Sequence, residues 1–181
     1  MAELAARVTA PKGRAYEGDG ISLMPLPPAS RLSLRAPRAS AAALSETLGF
    51  VLPERPKSSA QKGARSALWL GPDEWLVIDH EGIDLAQLCM RARVLHSAVD
   101  VSHRNVGILV SGPRAEEVLN AGCPQDLSLD RFGVGAASRT VFGKAEIVLW
   151  RVEETAFRVE CWRSFSDYVF GLLEKAARES L

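Results

Sequence analysis

The chain has 181 residues, 47% apolar and 24% charged, with 22 Lys and Arg against 22 Asp and Glu. That length supports one good core or two small, closely packed subdomains. Zero formal charge argues against an electrostatic hold on nucleic acid or an anionic membrane, and weak self-repulsion leaves the surface open to association. No apolar run approaches the ~20 residues that span a bilayer, and no basic-then-apolar secretory pattern opens the chain, so a cytoplasmic protein is expected.

Residues 1–29 are interrupted by Gly13, Gly18, Gly20, Pro25, Pro27 and Pro28. They are expected to form an N-terminal arm, loose alone, with room for one short strand over Gly20-Ile21-Ser22-Leu23-Met24. A first α+β unit is expected over residues 30–97. Arg31-Leu32-Ser33-Leu34-Arg35 alternates as a strand, and Ala41, Leu44 and Leu48 then recur at helical spacing up to Gly49. Residues 53–63, rich in Pro, Ser and Lys, read as a polar mobile loop. Ala67-Leu68-Trp69-Leu70 and Trp75-Leu76-Val77-Ile78 flank Gly71-Pro72-Asp73-Glu74, a turn with proline at its second position, which makes an antiparallel hairpin. Asp84 starts a helix with Gln87 as its capping partner, burying Leu85, Leu88, Cys89, Ala92 and Leu95.

A second unit is expected over residues 98–181. Val106, Ile108 and Val110 share one face of a strand that ends at Gly112-Pro113. Pro113 suits the first helical position, Ala115, Val118 and Leu119 follow on one helical face, and Gly122 suits a left-handed cap. Residues 126–135 read as a loop, residues 138–142, 147–152 and 157–162 as strands. Ser164 and Asp167 then form a capping box for a last helix that buries Phe165, Tyr168, Val169, Leu172, Leu173 and Ala176. Gly171 inside it implies close packing. The halves share an order of elements, so the expected fold is α+β: two tandem strand–helix–strand–strand–helix units with mainly antiparallel sheets, joined in one compact globular domain, the second carrying one extra strand near Thr140.

Little here has the pattern of catalysis. Asp100, Ser102 and His103 are the residue types of a hydrolytic triad. On a strand, however, His103 would face away from the other two, and no nucleophile elbow is present; Asp100 reads as a turn cap. Gly133-Val134-Gly135 lacks a dinucleotide fingerprint. His80, His96 and His103 lack metal-ligand spacing. Cys89, Cys123 and Cys161 stand apart in apolar contexts and read as buried, inert thiols. Trp69 and Trp75 flank one hairpin, with at least one expected to face outward, where tryptophan serves binding hot spots; burial in the core remains the alternative.

The segments Trp69-Leu70-Gly71-Pro72-Asp73-Glu74-Trp75-Leu76, Val99-Asp100-Val101-Ser102-His103-Arg104, Ser111-Gly112-Pro113-Arg114-Ala115, Gly122-Cys123-Pro124-Gln125-Asp126-Leu127 and Arg163-Ser164-Phe165 together resemble the gamma subunit family of heterotetrameric sarcosine oxidase. The resemblance runs over about residues 20–178, and the Asp-Val-Ser-His and Gly-Pro segments also look like the wider folate-binding aminomethyltransferase group, which includes the glycine-cleavage T-protein. It implies an aminomethyltransferase-like fold in a complex that oxidises sarcosine to glycine, passes the one-carbon unit to tetrahydrofolate and releases peroxide. It also implies that FAD, FMN, NAD and tetrahydrofolate reside in partner subunits (alpha, beta, delta), with no cofactor or metal on this chain and no nucleic acid or membrane partner. Where the T-protein group carries paired aspartates after a glycine-rich turn, this chain reads Gly143-Lys144-Ala145-Glu146-Ile147, with one carboxylate. The leading expectation is therefore a non-catalytic accessory subunit whose interface includes Trp69, Pro72, Asp73, Glu74, Trp75, Arg163 and Phe165. The alternative is a stand-alone folate-dependent aminomethyltransferase or folate-binding protein, with a pocket formed by Asp100, Ser102, Arg104 and Glu146.

Overall fold

The computed structural model describes residues 13–179. The chain runs β1 (Tyr16–Gly18), β2 (Ile21–Pro25), β3 (Ser30–Arg35), α1 (Arg38–Leu48), β4 (Ser59–Lys62), β5 (Arg65–Gly71), β6 (Glu74–Asp79), α2 (Leu85–Met90) and β7 (Ser97–Asp100). It continues through β8 (Asn105–Ser111), α3 (Ala115–Asn120), β9 (Ala137–Phe142), β10 (Ala145–Glu153), β11 (Ala156–Trp162), a 3-10 turn (Arg163–Phe165) and α4 (Ser166–Glu179). One sheet has the order β4-β5-β6-β3-β7 and the other β1-β2-β8-β11-β10-β9. Every neighbouring pair is antiparallel.

Period-two patterning sorts these strands into four layers. On the first sheet Leu32, Leu34, Trp75 and Val77 meet Leu44 and Leu48 of α1 and Leu85 and Cys89 of α2. On the second, Ile108, Val110, Ile147, Leu149, Phe157 and Val159 meet Val118 and Leu119 of α3 and Val169, Phe170 and Leu173 of α4. The alternate residues look inward: Leu68, Leu76 and Ile78 of one sheet and Ala137, Val148 and Trp150 of the other form a third cluster between the sheets. Each large aliphatic side chain buried there contributes roughly 1.5–3 kcal/mol relative to exposure. The three cysteines are buried, and burial pushes the Cys89 thiol up to about 11 and that of Cys161 up to about 12.

The succession β3-α1-β4-β5-β6-α2 is followed by β8-α3-β9-β10-β11-α4, and the strand orders β4-β5-β6-β3 and β9-β10-β11-β8 correspond. The strand preceding each succession crosses to the opposite sheet. β2 pairs with β8, Leu23 opposite Val110, and β7 pairs with β3, Ala98 opposite Leu34. The segment expected as a loose arm therefore supplies two strands of the second sheet, with Ile21 and Leu23 in its core; residues 1–12 lie outside the described residues. A cut between residues 97 and 98 would fall inside β7.

Other local expectations are corrected by packing. The polar loop over residues 53–63 contains β4, paired to β5 from Ser59 opposite Leu68, so the first half carries a counterpart of the strand near Thr140. Asp84 does cap α2, accepting from the Gln87 N–H at 2.9 Å. That helix ends at Met90, however, and Arg93 takes a φ of 53° as the chain turns toward β7, leaving Leu95 exposed. α3 starts at Ala115, beyond Pro113, because Gly112 makes the turn itself. Ala121 closes that helix in the right-handed region. Gly122 serves close approach instead: a Cβ there would lie 2.7 Å from the Phe142 ring. The 3-10 turn precedes α4, so Ser164 and Asp167 form no capping box and Ser166 donates to the Arg163 carbonyl at 2.7 Å. Phe165 and Tyr168 are consequently 43% and 44% exposed. A Cβ on Gly171 would meet only Arg14, at an ordinary 3.7 Å.

At Gly112 the backbone holds φ at 120°, and a Cβ would stand 2.3 Å from the Gly20 carbonyl oxygen, where β2 lies along β8. Gly112→Ala is expected to cost at least about 1–3 kcal/mol through strain and overlap. Urea denaturation with an unchanged slope and a lowered midpoint would register it; an unaltered midpoint would contradict the packing described.

Candidate functional site

The sheets meet across a seam that is apolar in the middle and charged at two places. Arg31 on β3 and Glu160 on β11 belong to opposite sheets. The Arg31 Nε donates to Glu160 Oε2 at 2.6 Å and its Nη2 to Oε1 at 3.1 Å, with both side chains 2% exposed or less. Arg158 Nε donates to the same Oε1 at 2.7 Å, and its Nη1 donates to His80 Nε2 at 2.8 Å, tying in the end of β6. Burial acts to raise the Glu160 carboxyl, yet the Arg158 and Arg31 guanidiniums hold it below the usual carboxylate range. His80 is pushed down, first by burial and then by Arg158 and Arg31. Gly107 makes room for this group: a Cβ there would lie 2.8 Å from Glu160 Oε1.

The second crossing joins Glu74 of β6 to Arg139 of β9. Arg139 Nη2 donates to Glu74 Oε1 at 2.5 Å, and Arg35 Nη2 donates to Oε2 at 2.9 Å. The hydrogen bond from Arg139 is the chief cause of a lowered Glu74 carboxyl. Between the crossings a cleft of about 50 Å³ remains, with Arg104, Glu146 and Trp162 among its lining residues. Asp100 and Ser102 line a different cavity, of about 160 Å³, beside Arg31 and Asp84.

The four residues expected to form a folate pocket are thus divided. Asp100 Oδ1 accepts from the Ser102 N–H at 2.8 Å and its hydroxyl at 2.5 Å, and Ser102 Oγ accepts from the Arg31 N–H at 2.8 Å. This is the turn-capping role read from the sequence, and it ties the β7–β8 turn to β3. Glu146 lies 3.9 Å from Arg139 with its side chain 56% exposed. Small-molecule pockets enclose about 300–1,000 Å³. Neither cavity approaches that, and the central one is spanned by the Glu74–Arg139 pair. The residues present do not fit a folate. Among the described residues, no group of three or more His, Cys, Asp or Glu could hold a metal ion, and no helix is long and apolar enough to cross a membrane.

The surface candidates also separate. Trp69 and Trp75 are directly paired across β5 and β6, so both indoles face the helix layer. Trp75 is 2% exposed and donates from Nε1 to the Pro53 carbonyl at 2.7 Å, which places it in the core and removes it from any interface. Glu74 is buried by its ion pairs. Trp69 is half-buried, Pro72 and Asp73 are exposed, and Trp69 and Pro72 border an apolar pocket of about 330 Å³ with Arg38 and Pro56. Arg163 and Phe165 are exposed at the end of β11, beside Trp162. The sequence reading missed Arg31, Arg151, Arg158 and Glu160 as buried charges. A glycine at 107 within a β-branched strand was the available signal.

Residues 34–179 match the family model described as sarcosine oxidase, gamma subunit family. The chain belongs to that family. It is 35% identical over 141 residues to sarcosine oxidase subunit gamma of Corynebacterium sp. (strain P-1), covering 76% of this chain and 70% of that one. It is 37% identical over 136 residues to the subunit gamma of Arthrobacter sp, covering 72% and 67%. The fold superposes on the heterotetrameric sarcosine oxidase from Corynebacterium sp. U-96 in complex with pyrrole 2-carboxylate with a TM-score of 0.83, at 30% identity over 88% of this chain and 84% of that one. It also superposes on the glycine cleavage system aminomethyltransferase T from Bartonella henselae, TM-score 0.68 and 16% identity, covering 88% of this chain and 46% of that one. The fold is therefore shared with the aminomethyltransferase T-protein.

Two outcomes test the seam. Glu160→Gln leaves two buried guanidiniums without their anion and is expected to cost roughly 3–5 kcal/mol in urea unfolding. Because His80 has a folded-state pKa below its unfolded value, its contribution is complete above the unfolded pKa of about 6.5. That contribution is lost as pH falls through the folded pKa. Thermal melts between pH 7.5 and pH 5 are expected to slope downward, and less steeply in His80→Gln; identical slopes would exclude the His80 linkage.

Proposed function

We propose that this chain acts as a non-catalytic, structural gamma subunit of a cytoplasmic heterotetrameric sarcosine oxidase, contributing surface to an assembly whose chemistry resides elsewhere. In that reading the complex oxidises sarcosine to glycine and passes the one-carbon unit to tetrahydrofolate. FAD, FMN, NAD and tetrahydrofolate are then bound by the alpha, beta and delta partners. Membership of the gamma subunit family supports the assembly. The observation that carries the non-catalytic part is the cleft between the sheets, spanned by the chain's own Glu74–Arg139 pair. The matching succession of elements in the two sheets supports a tandem duplication as the origin of the fold. Its surface candidates are Trp69, Pro72 and Asp73 at the hairpin tip and Arg163 and Phe165 after β11; the folate-enzyme alternative is not favoured by either cavity that its expected residues line.

Co-expression with the other subunits tests assembly, and native mass spectrometry of the purified complex should find this chain at fixed stoichiometry. Calorimetry and thermal shift with tetrahydrofolate test the rest: the isolated chain is expected to give no saturable heat and no shift in melting temperature. Folate binding or sarcosine turnover by the isolated chain would reverse the assignment, even if the complex forms.

A further inference from the structure

At the open end of β11 three aromatic side chains reach the surface within seven residues. Trp162 is 40% exposed, Phe165 43% and Tyr168 44%. The Trp162 and Phe165 rings stand 6.1 Å apart at 40°, and the Arg104 guanidinium lies 5.2 Å over the Trp162 ring. The Arg163 N–H donates to the Arg104 carbonyl at 2.6 Å, so two arginines join where the 3-10 turn meets the start of β8. Neither forms an ion pair with a carboxylate among the described residues. Arg104 Nε makes one contact, 3.3 Å to Asn105 Oδ1. The carboxylates that share the cleft with Arg104 are engaged elsewhere, Glu146 toward Arg139, Glu74 toward Arg139 and Arg35, and Glu160 toward Arg31 and Arg158. Asp167, near Arg163 in the chain, is turned toward Arg14.

We propose that this Arg104–Trp162–Phe165 face is the docking site for an acidic, apolar-anchored surface segment of another subunit of the oxidase, which rests on the structural-subunit reading above. Tryptophan and arginine are the residue types over-represented in binding hot spots, and adjoining exposed aromatics mark interaction surfaces. The cleft behind them holds about 50 Å³, so the face is shallow and offers a protein surface its rings and not a small ligand a pocket. The Arg104 guanidinium, without a carboxylate partner and set over an apolar anchor, is complementary to a partner carboxylate next to a hydrophobic side chain. The cation already over Trp162 pre-orders that ring. The hairpin, whose Glu74 and Trp75 line the same cleft as Arg104 and Trp162, has Trp75 in the core and Glu74 neutralised by two arginines, so it lacks both elements of this match.

The test uses the co-expressed complex and the isolated chain together. Trp162→Ala with Phe165→Ser is expected to weaken association at least about 30-fold while the isolated chain keeps its circular dichroism. Arg104→Glu, a change on an exposed side chain that leaves the fold intact, should weaken it at least about tenfold. Raising salt should weaken the wild-type complex more than the Arg104→Gln complex, whereas Arg104→Lys should keep most of the salt dependence. Wild-type affinity in the aromatic variant and in Arg104→Glu would overturn the proposal while leaving the subunit reading standing. Loss of affinity in the aromatic variant with equal salt dependence in Arg104→Gln would overturn the acidic partner. Failure of the wild-type chain to join the other subunits would remove the subunit reading, and the proposal with it. If the aromatic variant unfolds, Arg104→Glu alone decides.

Discussion

The contact on which the architecture depends is the ion pair between Arg31 and Glu160, buried where the two sheets face each other. Withdrawing such charges from water costs several kcal/mol each, repaid only where geometry is close and remaining hydrogen bonds are satisfied. Both conditions hold. Glu160 accepts from two guanidiniums, and Arg31 donates again to the Ala29 carbonyl at 3.2 Å. An arrangement this demanding tolerates little sliding of one sheet over the other, because displacement of either partner would strand a buried charge. It fixes the register of the two sheets in a way that the apolar cluster beside it, which is non-directional, does not.

That register decides the fate of the central cleft. With β6 and β9 held at this distance, Glu74 and Arg139 meet across the gap and span it. A fold shared with an aminomethyltransferase therefore has its inter-sheet space taken by its own side chains. Two exposed groups are on the rims: the hairpin tip at Pro72 and Asp73, and the aromatic side chains after β11. The narrow central cleft and the exposed aromatics beside it are two results of one packing solution.

How far the sequence reading reached follows from which forces are local. Helix-facing residues such as Leu32, Leu34, Val106, Ile108 and Val110 were legible because strand alternation repeats every two residues. The Asp84 cap and the Asp100 turn were legible because a short polar side chain finds its backbone partner a few residues on. Arg31 was not legible as buried, since an arginine on the polar side of an alternating strand has the same pattern whether that side meets water or a second sheet. Only its partner, 129 residues away, tells the two cases apart. Trp75 was misplaced for the converse reason: a bulge between Trp69 and Gly71 sets the hairpin register so that both indoles share a face. The interface candidates were legible as motifs of the family, but their exposure was set by tertiary packing. The four residues expected to line a folate pocket are not brought together: Asp100 and Ser102 line one cavity and Arg104 and Glu146 another, a division set by the sheets and invisible in local sequence.

β2 and β7 are exchanged between the two sheets. Each half of the chain completes its sheet with a strand from the other, so neither has a finished core alone. The pairing of Leu23 with Val110 and of Ala98 with Leu34 makes local opening of one half expensive for both, which favours a single cooperative unit over two hinged ones. A body that does not flex at its middle holds its surface features at fixed separation. The hairpin tip belongs to the first sheet and the aromatic row to the second. The exchanged strands and the buried Arg31–Glu160 pair keep those two rims in one spatial relation.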